Sequence, residues 1–184
     1  MSNTVDSIFD VAFWFADRAL TDNEYLHPLK LQYLLYLSQS YYAIAYDGRK
    51  LFPAIFVAEE RGPIEPSLYR AWTKGRPNFD GVKKLKDDVK VFSDSIWRRF
   101  GHHSAEHLAK LCRRTPAYQD AFKFGDRAEI ILEKVTNDMI LGRDLPDLEQ
   151  VVKPKLIRSS TTGRSVEVKP WSPRQLDNKN KSYD

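Results

Sequence analysis

The apolar positions follow a helical rhythm almost from the first residue. Behind Thr4, a suitable N-cap, Val5, Ile8, Phe9, Ala12, Ala16, Ala19 and Leu20 recur at helical spacing, with Asp6, Asp10 and Asp17 on the opposite side. The pattern predicts an amphipathic helix. The next run, "HPLKLQYLLYLSQSYYAIAY", places Pro28 at a first helical position and Leu31, Leu34, Leu35, Tyr41, Tyr42 and Ala45 on one face. Tyr33, Leu37 and Ile44 form a second apolar face, and a helix apolar nearly all round belongs at the centre of its domain. Asp47-Gly48 closes it.

The rhythm then changes. "KLFPAIFVAEE" is short, β-branched and aromatic, which predicts a brief extended segment interrupted by Pro53. Gly62 permits backbone angles closed to other residues, Pro63 cannot donate to a ladder, and Pro66 suits the first turn of a helix over "SLYRAW". The stretch therefore reads as a strand-to-helix corner with Glu59, Glu60 and Arg61 at its approach. "GRPNFDG" is a loop, and the periodicity of Val82, Leu85, Val89 and Val91 fits helix or strand equally. Helices are expected over Asp94–Phe100, ending at Gly101, over Ser104–Cys112, and from Thr115-Pro116 onward. Asp126 with Glu129 resembles a capping box opening "RAEIILEKVTNDMIL", closed by Gly142.

Beyond Pro146 the apolar density falls. "KLIRSSTTGRSVEVKPW" contains a pattern suited to a hairpin over residues 155–169, and the remainder has a disordered composition. The expected organisation is a compact, mainly α domain over 1–145 with a small β element, and a basic, partly disordered C-terminal tail over 146–184. No internal repeat is visible.

Charge sharpens this division. The chain of 184 residues carries a net +4, but from Lys153 onward eight basic residues face three acidic ones, a net +5, which leaves −1 for residues 1–152. A DNA-binding reading can thus rest only on the tail. The single cysteine, Cys112, excludes an internal disulfide, and the pattern is that of a reducing, cytoplasmic compartment. Asp6, Asp10 and Asp17 interrupt the first apolar run too soon for membrane insertion, and no basic leader precedes it.

The candidate chemistry is sparse. His103 and His107 are four apart, as metal ligands on one helix face can be, with His102 beside them, but Cys112 falls about 140° round the helix from His107 and the local set does not close. The expectation is no metal and no cofactor, with these histidines as helix-start polar residues. Leu108, Leu111 and Cys112 make one apolar side, so the thiol reads as buried and inert rather than nucleophilic. There is no phosphate-binding glycine loop. Adjacent carboxylates such as Glu59-Glu60 and Asp87-Asp88 point apart on a helix or strand and read as solvated surface. Tyr33, Tyr36, Tyr41 and Tyr42 sit at core spacing, with only Lys30 interleaved, which is not the composition of a base-stacking platform. No catalytic set emerges, and the chain is not expected to be an enzyme.

Three blocks together resemble the Panacea antitoxin domain, the family that includes SocA-like proteolysis adaptors and many phage-associated bacterial proteins. "LKLQYLLYLSQSYYAIAYDGRKLF" is similar to the family's Leu-Gln-Lys-Leu-Leu-Tyr stretch and its aromatic-rich helix end. "RGPIEPSLYRAW" resembles its Tyr-Gly-Pro-Val, Pro, Leu-Tyr block, and "SIWRRFGHHSAEHLAKLCRRTPAYQDAF" its aromatic-Gly, Ser-Ala, Glu-x-Leu and late aromatic pattern. Together they cover residues from about 5 to 125. The chain departs from the family pattern at Tyr33 (usually Lys), Glu59 (usually Trp), Arg61 (usually Tyr) and Cys112-Arg113 (often Thr-His). The resemblance implies a helical domain without catalytic activity. It implies an antitoxin that binds a cognate toxin encoded by a neighbouring gene, or delivers it to a ClpXP-type protease. The expected partner contacts are Glu59, Glu60, Arg61, Arg70 and Trp72, with core packing as the competing reading for Trp72 and solvation for the charges.

Overall fold

A computed structural model of the chain describes residues 3–134. The expected hairpin over 155–169, the tail over 146–184, the boundary at 145 and the helix end at Gly142 lie outside the described residues.

The described residues are mainly helical with one small sheet, as the apolar pattern predicts. Helix α1 spans Ile8–Thr21 and turns Ile8, Val11, Ala12, Phe15 and Ala19 inward. Its cap is Ser7 rather than Thr4: Ser7 Oγ accepts from the Phe9 N–H at 3.2 Å. Thr4 and Val5 are drawn instead to the chain after α2, their N–H groups donating to the Lys50 and Leu51 carbonyls. Leu20, expected on the apolar face, is 65% exposed, because the inward stripe ends at Ala19.

Helix α2 (Pro28–Ala45) is the axis of the fold, with every residue from Lys30 to Ala43 buried. It packs against α1, against α3 (Pro66–Trp72), against α4 (Asp87–Phe100), against α5 (Ala105–Arg113) and against the strand Gly62–Ile64. An apolar surface all round is what such a position requires. Its polar residues are used on neighbouring backbone. Gln39 donates to the Phe52 carbonyl at 3.0 Å and accepts from the Leu51 and Phe52 N–H groups, so the loop after the helix is fastened to it. Gln32 accepts from the Glu65 N–H at 2.8 Å, fixing the entry to α3.

The sheet has the order β2-β1-β3. Strand β1 (Val57–Glu59) pairs antiparallel with β2 (Gly62–Ile64), and Ala58 faces Pro63. The expected strand-to-helix corner is thus a hairpin whose turn falls at Glu60-Arg61, one step before Gly62-Pro63. Pro63 does not stop the ladder because β2 is an outer strand of the sheet, where a residue without an N–H is tolerated. Pro66 does open α3, and the Glu65 carboxylate caps it, accepting from the Leu68 N–H at 2.6 Å.

Helix α4 begins at Asp87, well before the expected Asp94, so the undecided segment is part loop and part helix: Leu85 before the helix and Val89 within it are buried, Val82 before it and Val91 within it exposed. Ser104 caps α5 and Pro116 opens α6 (Pro116–Phe124), as predicted. The capping-box expectation at Asp126 fails. Arg127 takes φ +64, and β3 (Ala128–Glu129) pairs with β1 in place of a helix start. Long-range pairing wins there because the Arg127 and Ile130 N–H groups find carbonyls on Ala58 and Phe56.

Candidate partner-binding site

The hairpin turn is held from beneath by three side chains from three helices. Tyr33 of α2 donates its hydroxyl to the Arg61 carbonyl at 2.7 Å. Arg113 at the end of α5 donates to the Glu60 carbonyl at 3.1 Å, and the Tyr118 hydroxyl of α6 donates to the Glu59 carbonyl. Each of three successive carbonyls therefore has its own donor from the body of the protein. Neither Glu60 nor Arg61 takes a left-handed conformation; the unusual angle falls on Gly62, at φ +135. A Cβ there would lie 2.7 Å from Tyr33 Cε1, so glycine is required both by the turn and by the ring beneath it.

The electrostatics follow from this packing. Burial pushes the Tyr33 hydroxyl up to about 12 and also raises Tyr118, so both stay protonated donors over the physiological range. Burial raises the Cys112 thiol much further, and Cys112 is fully enclosed. It is a packing residue. Above the turn, Arg127 binds Glu59 Oε1 through Nε at 2.8 Å and Nη2 at 2.7 Å. That hydrogen bond, and then the charge of Glu59, strengthen the hold of Arg127 on its proton.

Of the five expected contacts, the structure brings Glu59, Glu60 and Arg61 together on this one hairpin. Glu60 and Arg61 are exposed, whereas Glu59 is committed to Arg127. Arg70 is exposed near the end of α3. Trp72 is a correction: it is 3% exposed, with its ring edge-on to Phe13 at 5.0 Å between centroids, and belongs to the core. An aromatic at the last position of a short amphipathic helix is drawn inward by its own area.

Matched against protein-family models, curated proteins and solved structures, the chain finds no counterpart. The site is accordingly read from its own geometry.

Sequence reasoning missed Tyr33, Arg113, Tyr118 and Arg127, the residues that fix the turn. Their bonds reach across sequence separations of 28, 53, 59 and 68 residues, and no local pattern encodes such contacts. One signal was present for Arg127: Gly125-Asp126 is a turn dipeptide, which argues for a break in the chain at that point. Among the described residues no group of three or more His, Cys, Asp or Glu side chains is placed to hold a metal ion, and no helix is long and apolar enough to cross a membrane.

Proposed function

We propose that this chain is an antitoxin that neutralises a cognate toxin by direct protein–protein binding, with the Glu60-Arg61 hairpin turn as a principal contact. The observation that carries the reading is the turn itself: two exposed charged side chains on a backbone whose three successive carbonyls are each tied down. A contact loop fixed before binding loses little conformational entropy on association, so more of its interaction energy appears as affinity. Arginine at such a position supplies planar, multidentate hydrogen bonding to a partner.

A second observation supports it. The positions at which the chain departs from the Panacea pattern, Tyr33, Glu59, Arg61 and Cys112-Arg113, lie at or directly beneath this turn, where Tyr33 and Arg113 hold the Arg61 and Glu60 carbonyls. Departures gathered at one exposed turn and in the residues that support it from beneath are what a change of binding partner would require. Delivery of the bound toxin to a ClpXP-type protease is the finer form of the proposal.

The test is co-expression with the neighbouring open reading frame, in cells with and without ClpX and ClpP, following growth and the level of the neighbour's product. Rescue in both backgrounds is expected for occlusion, and rescue only with the protease for an adaptor. The variant Glu60→Lys/Arg61→Glu is expected to lose rescue while keeping the wild-type melting temperature, since both side chains are exposed. No rescue by the wild-type chain in either background overturns the proposal and directs attention to DNA binding through the basic tail.

A further inference from the structure

A second surface, on α5, is independent of the hairpin turn. His107, Lys110 and Arg114 recur at three- and four-residue intervals, so they line one side of the helix, and all three are exposed. His103, just before the Ser104 cap, joins the row through its ring, which stacks on His107 with centroids 4.5 Å apart and 24° between planes. Arg99, from the end of α4, lies near enough to act on His103, and its Nε has no hydrogen-bond partner among the described residues. The result is a pair of stacked, exposed imidazoles at the head of a basic row.

The surrounding charge decides what such a pair can bind. Burial first, then the positive charges of His107, Arg99, His102 and Lys30, lower the proton affinity of His103. The charged groups that act on it, from α2, from α4, from the following turn and from α5 itself, are all basic. A metal cation would meet repulsion and, among the described residues, find no third donor, since His102 is turned to Glu24, with Nδ1 at 3.1 Å from Oε1. An anion would be attracted. Of the carboxylates nearby, Glu24 serves Lys30 and His102, while Glu106 is solvent-exposed and lies 3.9 Å from Lys110 in a pair of little strength.

We propose that this face of α5, from His103 to Arg114 with Arg99 at its side, binds single-stranded nucleic acid. The basic row takes successive phosphates, since one helical turn advances about 5.4 Å, close to the reach between neighbouring phosphates of a flexible strand. The outer face of the imidazole stack takes a base, a role aromatic rings including histidine fill in single-strand recognition. This combination of stacked rings with a basic row favours nucleic acid over an acidic peptide, which has no planar group to stack. Because burial and the neighbouring positive charges weaken the hold of His103 on its proton and a bound phosphate would strengthen it, binding takes up a proton and tightens as pH falls through the histidine range.

The test measures anisotropy of a labelled oligo-dT with the full chain at low salt, at about pH 5.5 and about pH 8, beside the variants His103→Gln/His107→Gln and Lys110→Glu. The expected result is tighter binding at the lower pH. The histidine variant should bind about tenfold more weakly at the lower pH and lose the pH dependence. Lys110→Glu should weaken binding at both pH values and flatten the salt dependence by about one phosphate contact. Lys110 is 62% exposed on its side chain, so this variant decides the matter should the histidine variant melt early. Binding unchanged in both variants would assign it to the basic residues beyond Lys153 and overturn the proposal. So would the absence of binding by the wild-type chain, or displacement of the oligonucleotide by polyglutamate as readily as by unlabelled oligo-dT.

Discussion

Gly62 and Tyr33 illustrate how a single residue pair can fix a surface. Tyr33 is 1% exposed and its hydroxyl is anchored on the Arg61 carbonyl at 2.7 Å, so its ring cannot swing aside. A methyl group at position 62 would both meet that ring at 2.7 Å and hold an L-residue at φ +135. Gly48 supplies the control. It too has positive φ, at +79, but a Cβ there has nothing within 4 Å. Gly48→Ala is therefore expected to cost about 1 kcal/mol, the conformational term alone. Gly62→Ala should cost about 3 kcal/mol or more, because overpacking against an immobile ring is added to a harsher angle. Urea denaturation of the two variants checks this. Equal losses would mean that the Tyr33 ring yields, and with it the argument that the hairpin turn is rigid.

At the scale of elements, helix α2 carries the fold through its glutamines as much as its leucines. Gln39 satisfies two N–H groups and one carbonyl of the loop at Leu51-Phe52, all of them buried. Gln39→Leu keeps the volume and strands those three groups, and each buried orphan costs roughly 1–3 kcal/mol. A total loss of about 3 kcal/mol or more, read from the denaturation midpoint, is expected. A loss below about 1 kcal/mol would mean that the loop finds other partners. Burial of α2 was legible in the sequence because its apolar residues leave no polar face, and the starts at Pro28, Pro66, Ser104 and Pro116 were legible because caps and prolines act locally. The start of α1 was misread because Thr4 has a distant partner, the Tyr42 hydroxyl at 3.0 Å, which no local rule reveals. At Asp126 a local capping signal gave way to pairing with β1, and α4 was hidden by its charge runs. The candidate site was half visible: Glu60 and Arg61 announce themselves as charges beside Gly62, while the residues that hold their backbone are distant in sequence.

Taken whole, the molecule buries its tyrosines in a way that sets an alkaline limit to its stability. Burial raises Tyr33 to about 12 and also raises Tyr42, Tyr46 and Tyr118, and it raises the Cys112 thiol as well. These groups bridge otherwise separate parts: Tyr33 and Tyr118 reach the hairpin turn, and Tyr42 stacks on Tyr46 and meets Phe92 of α4 edge-on. Each has a folded proton affinity above its unfolded one, so the unfolded chain releases protons first as pH rises. The stability they contribute is fully present below the unfolded tyrosine value near 10 and is lost as pH climbs from there toward about 12, where Tyr33 titrates in the folded protein. The thiol adds to the same trend from a lower starting point, since an unfolded cysteine ionises near 8.5. Titration followed by tyrosinate absorbance and circular dichroism together should show these buried tyrosines ionising in step with loss of helix. If every tyrosine ionised near pH 10 with the helical signal unchanged, the rings at the centre of the fold would be reachable by solvent. The hairpin turn they support would then lack the fixed backbone on which its proposed role depends.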